Sequence, residues 1–173
     1  MMLEIRQIVT ADDCRAVKGL VLDFVAWALT QDPDAQTAAT FTDLETELDE
    51  LPGIYGPPGG SFLLATVDGT PAGCVALREK DQTTTELKRM YVRPDQRGLG
   101  VGLTLVQRVV EVARAQGRTR IVLDSYHTMT GAHKIYRAVG FQDVAPPGDF
   151  PEKWAGRVVF MEMALAQPPG PDL

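Results

Sequence analysis

Short runs of alternating or continuous apolar residues recur along the chain, and they predict the strands of a sheet. The runs are Leu3–Ile8, Phe62–Val67, Gly73–Arg78, Glu86–Val92, Arg120–Asp124, Phe141–Val144 and Val158–Leu165. Asp68-Gly69-Thr70-Pro71 joins the second run to the third and predicts a hairpin. The links between the second, third and fourth runs are short, so these strands are expected to pair antiparallel.

Four other segments repeat their apolar residues at helical spacing. The first opens at Thr10, where Asp13 completes a capping box, and the second has the same signature at Thr42 and Glu45. The third spans about Gly100 to Gln116, and the fourth spans Thr130–Val139. A strand on each side of the third helix predicts a crossover and one parallel strand pair. The pattern indicates an α/β (α+β) fold in one domain, residues 1–166, with a disordered tail at 167–173.

Composition narrows the function classes. The chain has 173 residues, 45% of them hydrophobic, and a net charge of −6, which argues against general nucleic-acid binding. No apolar run approaches the roughly 20 residues that span a bilayer, and no signal peptide is evident, so a cytoplasmic protein is expected. The two cysteines and two histidines are not clustered as a metal site requires. Residues 86–120 nevertheless carry eight Lys or Arg against three acids, which favours one anionic ligand there.

The segment Arg97-Gly98-Leu99-Gly100-Val101-Gly102 has the features of a phosphate site. Glycines at a helix start leave backbone N–H groups uncovered where the helix dipole is positive. A dinucleotide fingerprint is excluded because leucine stands where its third glycine belongs, and a P-loop is excluded because no lysine follows the glycines. The pattern that remains is R-x-x-G-x-G.

With this turn, the chain resembles the GCN5-related N-acetyltransferase (GNAT) superfamily. The matching blocks, in the order of that family, are Glu86–Val92 with Arg93-Pro94, the R-x-x-G-x-G turn and its helix, Ile121–Asp124, and the A-x-x-x-Y-x-x-x-G-F signature at Ala132–Phe141. The resemblance covers about residues 60–165. It implies a mixed sheet of about six to seven strands, splayed in the middle and flanked by about four helices.

The resemblance also implies a cosubstrate, acetyl-CoA, and where it binds. Its pyrophosphate would lie on the turn formed by Arg97, Gly98, Leu99, Gly100, Val101 and Gly102. Its pantetheine arm would pair with backbone groups of Met90, Tyr91 and Val92, as a peptide adds to a sheet edge. Members of this family often pair through their sheets, so a homodimer is compatible with the sequence.

The implied reaction is attack of an uncharged amine, of a small molecule or a peptide, on the thioester. Tyr136 matches the family's tyrosine near the thioester sulfur and is expected to protonate the leaving thiolate; the alternative is a core aromatic. Glu86 is expected to be the general base, with Asp124 and His127 as second candidates and ordered water as an alternative. His133 is expected on the exposed flank of its helix.

Other features concern the acceptor and the limits of the resemblance. Met129 stands where relatives often carry an asparagine that holds the pantetheine. Tyr55, Phe150 and Trp154 either border an acceptor pocket or pack in the core. Acidic residues of the N-terminal half either steer a cationic amine or form a solvated helix face; they are Asp32, Asp34, Asp43, Glu45, Glu47, Asp49 and Glu50. A CoA-binding sensor without catalysis is the alternative function.

Overall fold

Seven strands in one mixed sheet and four α-helices make up the part of the chain that the computed structural model describes, residues 1–33 and 43–166. The strands are β1 (Leu3–Gln7), β2 (Ser61–Val67), β3 (Thr70–Glu79), β4 (Thr84–Val92), β5 (Arg120–Tyr126), β6 (Gln142–Val144) and β7 (Val158–Ala164). The helices are α1 (Ala11–Gln31), α2 (Leu44–Asp49), α3 (Val101–Ala115) and α4 (Thr130–Val139). The predicted fold class is confirmed. Thr42, Asp34 and the predicted tail lie outside the described residues.

The sheet has the order β1-β2-β3-β4-β5-β7-β6, and β4 and β5 form its parallel pair. These two strands pair only at their starts, Thr84–Glu86 against Arg120–Val122. Beyond that point β4 stays paired with β3 as far as Val92, and β5 stays paired with β7 as far as Tyr126. A gap therefore opens between β4 and β5, as the resemblance implied.

A bulge in β4 lies beside this gap. Lys88 pairs with Ala76 and Tyr91 pairs with Cys74, so two residues of β4 stand opposite one residue of β3. Arg89 takes up the extra residue with φ of 56°, in the left-handed region. Leu87 accordingly packs in the core cluster that contains α3, whereas Tyr91 packs in the cluster that contains α1. In a regular strand these two residues would share a face.

The helices cover both faces of the sheet, and α1, α3 and α4 start within a residue of their predicted positions. The N-cap residue of α2 is Asp43, which makes no side-chain cap bond, so the second predicted capping box is not found. At α1, Thr10 accepts a hydrogen bond from the Asp13 N–H at 3.1 Å, and the Asp13 carboxylate accepts one from the Thr10 N–H at 3.2 Å, which confirms the capping box. Val106 and Val110 of α3 are buried against one face of the sheet, and Val17 and Val21 of α1 are buried against the other. None of the helices in the two described ranges is long and apolar enough to span a bilayer.

Candidate active site

The glycine turn between β4 and α3 presents a row of unpaired backbone N–H groups. Gly98 and Gly100 have φ of 79° and 81°, which glycine adopts without strain. In the described part of the chain, no N–H from residue 98 to 103 donates a hydrogen bond; that of Thr104, to the Gly100 carbonyl at 3.0 Å, is the first that does. The row lies at the N-terminus of a 15-residue helix, where an anion is stabilised.

Gly102 allows the first turn of α3 to approach its neighbours closely. A Cβ atom at this position would lie 2.9 Å from the Ile135 Cδ1 of α4 and 3.3 Å from the Met90 Cε of β4. A larger residue would push these elements apart, so glycine here sets the width of the groove beside the turn.

Arg97 is held beside the turn by three contacts. Its Nε donates to the Val92 carbonyl at 3.0 Å, and its guanidinium lies 5.5 Å from the Trp27 ring centroid and 5.9 Å from that of Tyr91. The other basic residues of 86–120 do not gather here, because several pair with acids elsewhere; these pairs are Arg93–Asp95, Arg108–Glu111, Arg118–Glu79 and Arg120–Glu162. The site therefore rests on backbone N–H groups and Arg97 rather than on a basic cluster.

A groove of about 540 Å³ runs from the turn along the open edge of β4. It is lined by the predicted cofactor residues Met90, Tyr91, Val92, Arg97, Gly98, Gly100, Val101 and Gly102. Leu99 does not line it, and 46% of its side chain is exposed. The opposite wall comes from Phe24 and Trp27 of α1 and from the start of α4. These two aromatic residues are not recognisable as site residues in the sequence, because they also fit the apolar face of an ordinary helix.

A second, smaller pocket of about 160 Å³ lies in the gap between β4 and β5, and we call it the acceptor pocket. Its polar lining consists of Lys88, Arg89, Asp124, Ser125, Tyr126 and Tyr136, and its aromatic walls include Phe150 and Trp154. Phe24, Met90 and Met129 line both the groove and this pocket, so the two meet. Tyr55 does not line the pocket; it is 1% exposed and packs on Phe62.

Tyr136 is buried like a core aromatic residue and also lines the acceptor pocket. Its ring is buried in the core and lies 5.7 Å from the Phe141 ring. The residue lines the acceptor pocket, and its hydroxyl has no hydrogen-bond partner among the described residues. Burial, together with the Asp124 carboxylate, raises the pKa of the phenol well above its ordinary value. The group therefore stays protonated at physiological pH and is able to donate.

Glu86 lies where the pairing of β4 and β5 ends, and it is 8% exposed. Arg78 Nη2 lies 2.8 Å from its Oε2, and Lys88 Nζ lies 3.5 Å from its Oε1. Burial alone would raise the pKa of this carboxyl, but Lys88 and Arg78 outweigh burial and hold the pKa below its usual range. Glu86 is thus ionised at neutral pH but weakly basic.

Asp124 of β5 has the opposite electrostatic balance. Asp124 is exposed to solvent through the open pocket. Desolvation by the protein around it nevertheless raises the pKa of its carboxyl group. Lys88 opposes this rise in the pKa and Glu86 adds to it. Asp124 makes no ion pair within the described residues and faces the same pocket as Tyr136. Asp124 is therefore a stronger base than an ordinary aspartate, whereas Glu86 is a weaker base than an ordinary glutamate.

The prediction for His133 is wrong. His133 is 3% exposed, and its Nε2 lies 3.0 Å from the Ser125 hydroxyl, which also contacts the Met129 sulfur at 3.5 Å. Burial and the nearby Arg137 lower its pKa, so the ring is neutral at physiological pH. It supports the wall of the pocket from inside the protein. His127 is exposed and does not line either pocket.

Arg89, which the sequence analysis did not single out, is fixed by a buried ion pair. Its side chain is 3% exposed, and its Nε and Nη2 donate to the two Glu47 oxygens at 2.9 and 2.6 Å. The Tyr55 hydroxyl donates to the same carboxylate. Burial would raise the pKa of Glu47, but the bonds from Arg89 and Tyr55 outweigh it, so the pKa lies below its ordinary value. The pair connects α2 to the bulge.

Three of the seven acidic N-terminal residues named above form ion pairs within the described residues. Glu47 pairs with Arg89, Asp49 with Lys18 at 2.6 Å, and Asp32 with Arg157. Of these acids none lines the acceptor pocket. For these three residues the structure favours stabilisation of the fold over steering of an amine.

We predict that Glu47→Gln lowers the free energy of unfolding by about 3–5 kcal/mol, because it leaves a buried guanidinium without its counter-charge. Asp49→Asn is the matched control: its pair with Lys18 is exposed, so the loss is about 1 kcal/mol or less. Urea unfolding of both variants measures the difference. The depressed pKa of Glu47 contributes stability above the ordinary glutamate pKa, and this contribution is lost as the pH falls through the folded-state pKa. Equal losses in the two variants at neutral pH would contradict the assignment.

The sequence profile of the Acetyltransferase (GNAT) family matches residues 23–141. An uncharacterized N-acetyltransferase of Schizosaccharomyces pombe is 34% identical over 130 residues, 74% of this chain and 78% of that protein. N-acetylaspartate synthetase of Danio rerio is 34% identical over 109 residues, 62% of this chain but only 39% of that protein. This chain therefore spans well under half the length of that synthetase.

Solved structures give the same result for the fold. The PaiA N-acetyltransferase of Thermoplasma acidophilum, in complex with coenzyme A, matches with a TM-score of 0.75 over 95% of this chain and 100% of that one, at 18% identity. An acetyltransferase of Streptococcus agalactiae matches with a TM-score of 0.71 over 94% and 98%, at 24% identity. With the family profile covering more than half of its length, the chain belongs to the GNAT family of acetyltransferases.

Proposed function

We propose that the protein transfers the acetyl group of acetyl-CoA to the primary amine of a small molecule bound in the acceptor pocket. Membership of the family supplies the reaction class, N-acetyl transfer from acetyl-CoA. The observation that carries the assignment to this site is the junction of the groove and the acceptor pocket in the gap between β4 and β5. A cosubstrate in the groove and an amine in the pocket would meet there.

The residues of the groove suit coenzyme A. The pyrophosphate would accept hydrogen bonds from the unpaired N–H groups of residues 98–103, next to the Arg97 guanidinium. The pantetheine arm would run along β4 at Met90, Tyr91 and Val92, where β5 has diverged and leaves the strand edge open. Met129 replaces the asparagine often found in relatives, so the arm would depend on backbone contacts.

The reaction needs a proton to leave the nitrogen and a proton to reach the sulfur. The neutral amine attacks the thioester carbonyl, the C–N bond forms and the C–S bond breaks. Tyr136 donates the proton that the departing thiolate requires, since burial keeps its phenol protonated. Backbone N–H groups of the open β4 edge are the available donors for the negative charge that develops on the carbonyl oxygen.

Asp124 is the better candidate for the group that takes the proton from nitrogen. Both carboxylates lie near the gap, but Arg78 occupies an oxygen of Glu86 and depresses its pKa, whereas the pKa of Asp124 is raised. Asp124 lines the acceptor pocket, and Glu86 lines neither pocket. Asp124 also interacts electrostatically with Tyr136, so the proton taken from nitrogen could replace the one given to sulfur. The role first assigned to Glu86 stays a prediction.

The small volume of the acceptor pocket favours a small molecule over a folded protein. Some relatives are named N-acetylaspartate synthetase, a name that describes an acetylated amino acid as product. The alternative function, a CoA-binding protein without catalysis, would leave the acceptor pocket unused.

We predict that Gly100→Glu abolishes binding of coenzyme A, because a carboxylate would fill the anion site and repel the diphosphate. Gly117→Glu is the matched control, since Gly117 also has a positive φ, 75°, with open space around it, but follows the far end of α3. Isothermal titration calorimetry should show no binding by the first variant and unchanged affinity for the second. Retained affinity in Gly100→Glu would place the phosphates elsewhere.

We predict that Tyr136→Phe lowers kcat by about 100-fold or more, the usual contribution of a general acid, while the affinity for coenzyme A is kept. The assay is release of free thiol from acetyl-CoA with a panel of primary amines. A variant as active as the wild type would assign Tyr136 to packing alone. If the wild type releases no thiol with any amine while coenzyme A still raises its melting temperature, the CoA-binding alternative is correct.

Asp124→Asn is expected to lower kcat/KM far more than Glu86→Gln, when rates are expressed per neutral amine. In the wild type this rate should fall as the pH drops through the raised pKa of Asp124, because the base must be ionised. The fall should disappear in Asp124→Asn and persist in Glu86→Gln, because Glu86 does not line the acceptor pocket. The reverse pattern would return the role of base to Glu86.

A further inference from the structure

Lys88 is a buried cation that the reaction described above does not use. Its side chain is 11% exposed and lines the acceptor pocket, but it does not line the cofactor groove. Its nearest acidic atom among the described residues is Glu86 Oε1, at 3.5 Å, and it makes no hydrogen bond there. A lysine ammonium has three donors, so this one retains donors for a ligand.

Lys88 is not needed to neutralise the charge of Glu86. Arg78 already donates to Glu86 at 2.8 Å, so this carboxylate has a counter-ion without Lys88. Arg89, the other cation of the pocket, is paired with Glu47 through both carboxylate oxygens. Lys88 is therefore the cation in the pocket whose charge is least matched by a neighbouring acid.

A negative charge without an ion-pair partner faces the same space. Asp124 lines the pocket from β5, whereas Lys88 lines it from β4, and these strands diverge on either side of the gap. The two groups influence one another electrostatically, since Lys88 opposes the rise in the pKa of Asp124, but they do not form an ion pair. One wall of the pocket thus offers an ammonium and the other a carboxylate.

From this arrangement we infer that the acceptor is an α-amino acid, whose amine faces Asp124 and whose carboxylate binds Lys88. The two groups of an α-amino acid sit on one carbon, so a single small molecule bridges both charges. The remaining walls, with Phe24, Phe150 and Trp154 among them, suit an apolar side chain. The inference rests on the proposed function and narrows it to one substrate class.

The chemistry of transfer is unchanged by this assignment. The amine nitrogen forms the new C–N bond to the acetyl carbon, the C–S bond breaks, and the proton lost from nitrogen goes to Asp124 while Tyr136 supplies the proton to sulfur. The carboxylate of the acceptor takes no part in bond making. Lys88 would act by holding it, which fixes the amine opposite the thioester.

The first experiment compares amino acids with the amines that lack only the carboxylate. The pairs are leucine with 3-methylbutylamine, phenylalanine with 2-phenylethylamine, and methionine with 3-(methylthio)propylamine. In at least one pair the amino acid should have a kcat/KM, expressed per neutral amine, about 10- to 100-fold higher, the range expected for a hydrogen bond to a charged group. Preference for the plain amine in every pair overturns the inference and leaves the proposed function intact. If neither the amino acids nor the amines give thiol release, both the inference and the proposed function are overturned.

The second experiment tests whether Lys88 causes the preference. Lys88→Met, similar in length but uncharged, should reduce the ratio of kcat/KM between amino acid and amine to near one, and Lys88→Arg should keep most of it. Lys134→Met, an exposed lysine of α4, is the control and should leave the ratio unchanged. Calorimetric titration of coenzyme A shows that each variant is folded and loaded. If Lys88→Met keeps the wild-type ratio of kcat/KM between amino acid and amine, the assignment of Lys88 is overturned.

Discussion

The gap between β4 and β5 is the feature on which the rest of the site depends. The two strands share only three paired positions, and β4 then continues alone on that side to Val92. An open strand edge of this kind normally invites pairing with another strand. Here α1 and α4 cover it from either side, which leaves room for a narrow rod-like ligand rather than for a polypeptide.

The bulge at Arg89 gives this edge its shape, and the structure stabilises it with a buried ion pair. A non-glycine residue with φ of 56° is strained, so something must hold it. Glu47, braced by Tyr55, binds both the Nε and the Nη2 of Arg89. The bulge also turns Tyr91 toward the α1 side of the sheet, the side that Lys88 already faces by ordinary alternation from Leu87. In this way α2, which does not line either pocket, influences the strand along which we propose that the cosubstrate binds.

The sequence predicted those parts of the structure that depend on local patterns. The strands, the four helices, the Thr10 cap and the glycine turn follow from periodicity, capping and backbone freedom, each of which acts within a few residues. The bulge could not be read in this way, because Arg89 interrupts the two-residue alternation without a glycine to mark it. The one sequence signal of the bulge is an arginine at a position where the strand would face the core. The burial of His133 was missed for a related reason, since its partner Ser125 lies on another element.

The balance between the two carboxylates also depends on contacts across the fold. From the sequence, Glu86 heads the cofactor strand and looks the more favourable base. In the structure, Arg78 on β3 and Lys88 on β4 depress its pKa, whereas Asp124 on β5 lacks such a neighbour at close range. Sequence motifs predicted a candidate site, but contacts across the strands determine the electrostatic balance of its groups.

Amide hydrogen exchange with and without coenzyme A tests the central claim most directly, because it reports on the backbone N–H groups themselves. Binding should slow exchange at residues 98–103 and along the open edge of β4 at residues 90–92, while Gly117 and the β6–β7 pair keep their rates. Protection confined to other segments, at concentrations where coenzyme A is bound, would contradict the account.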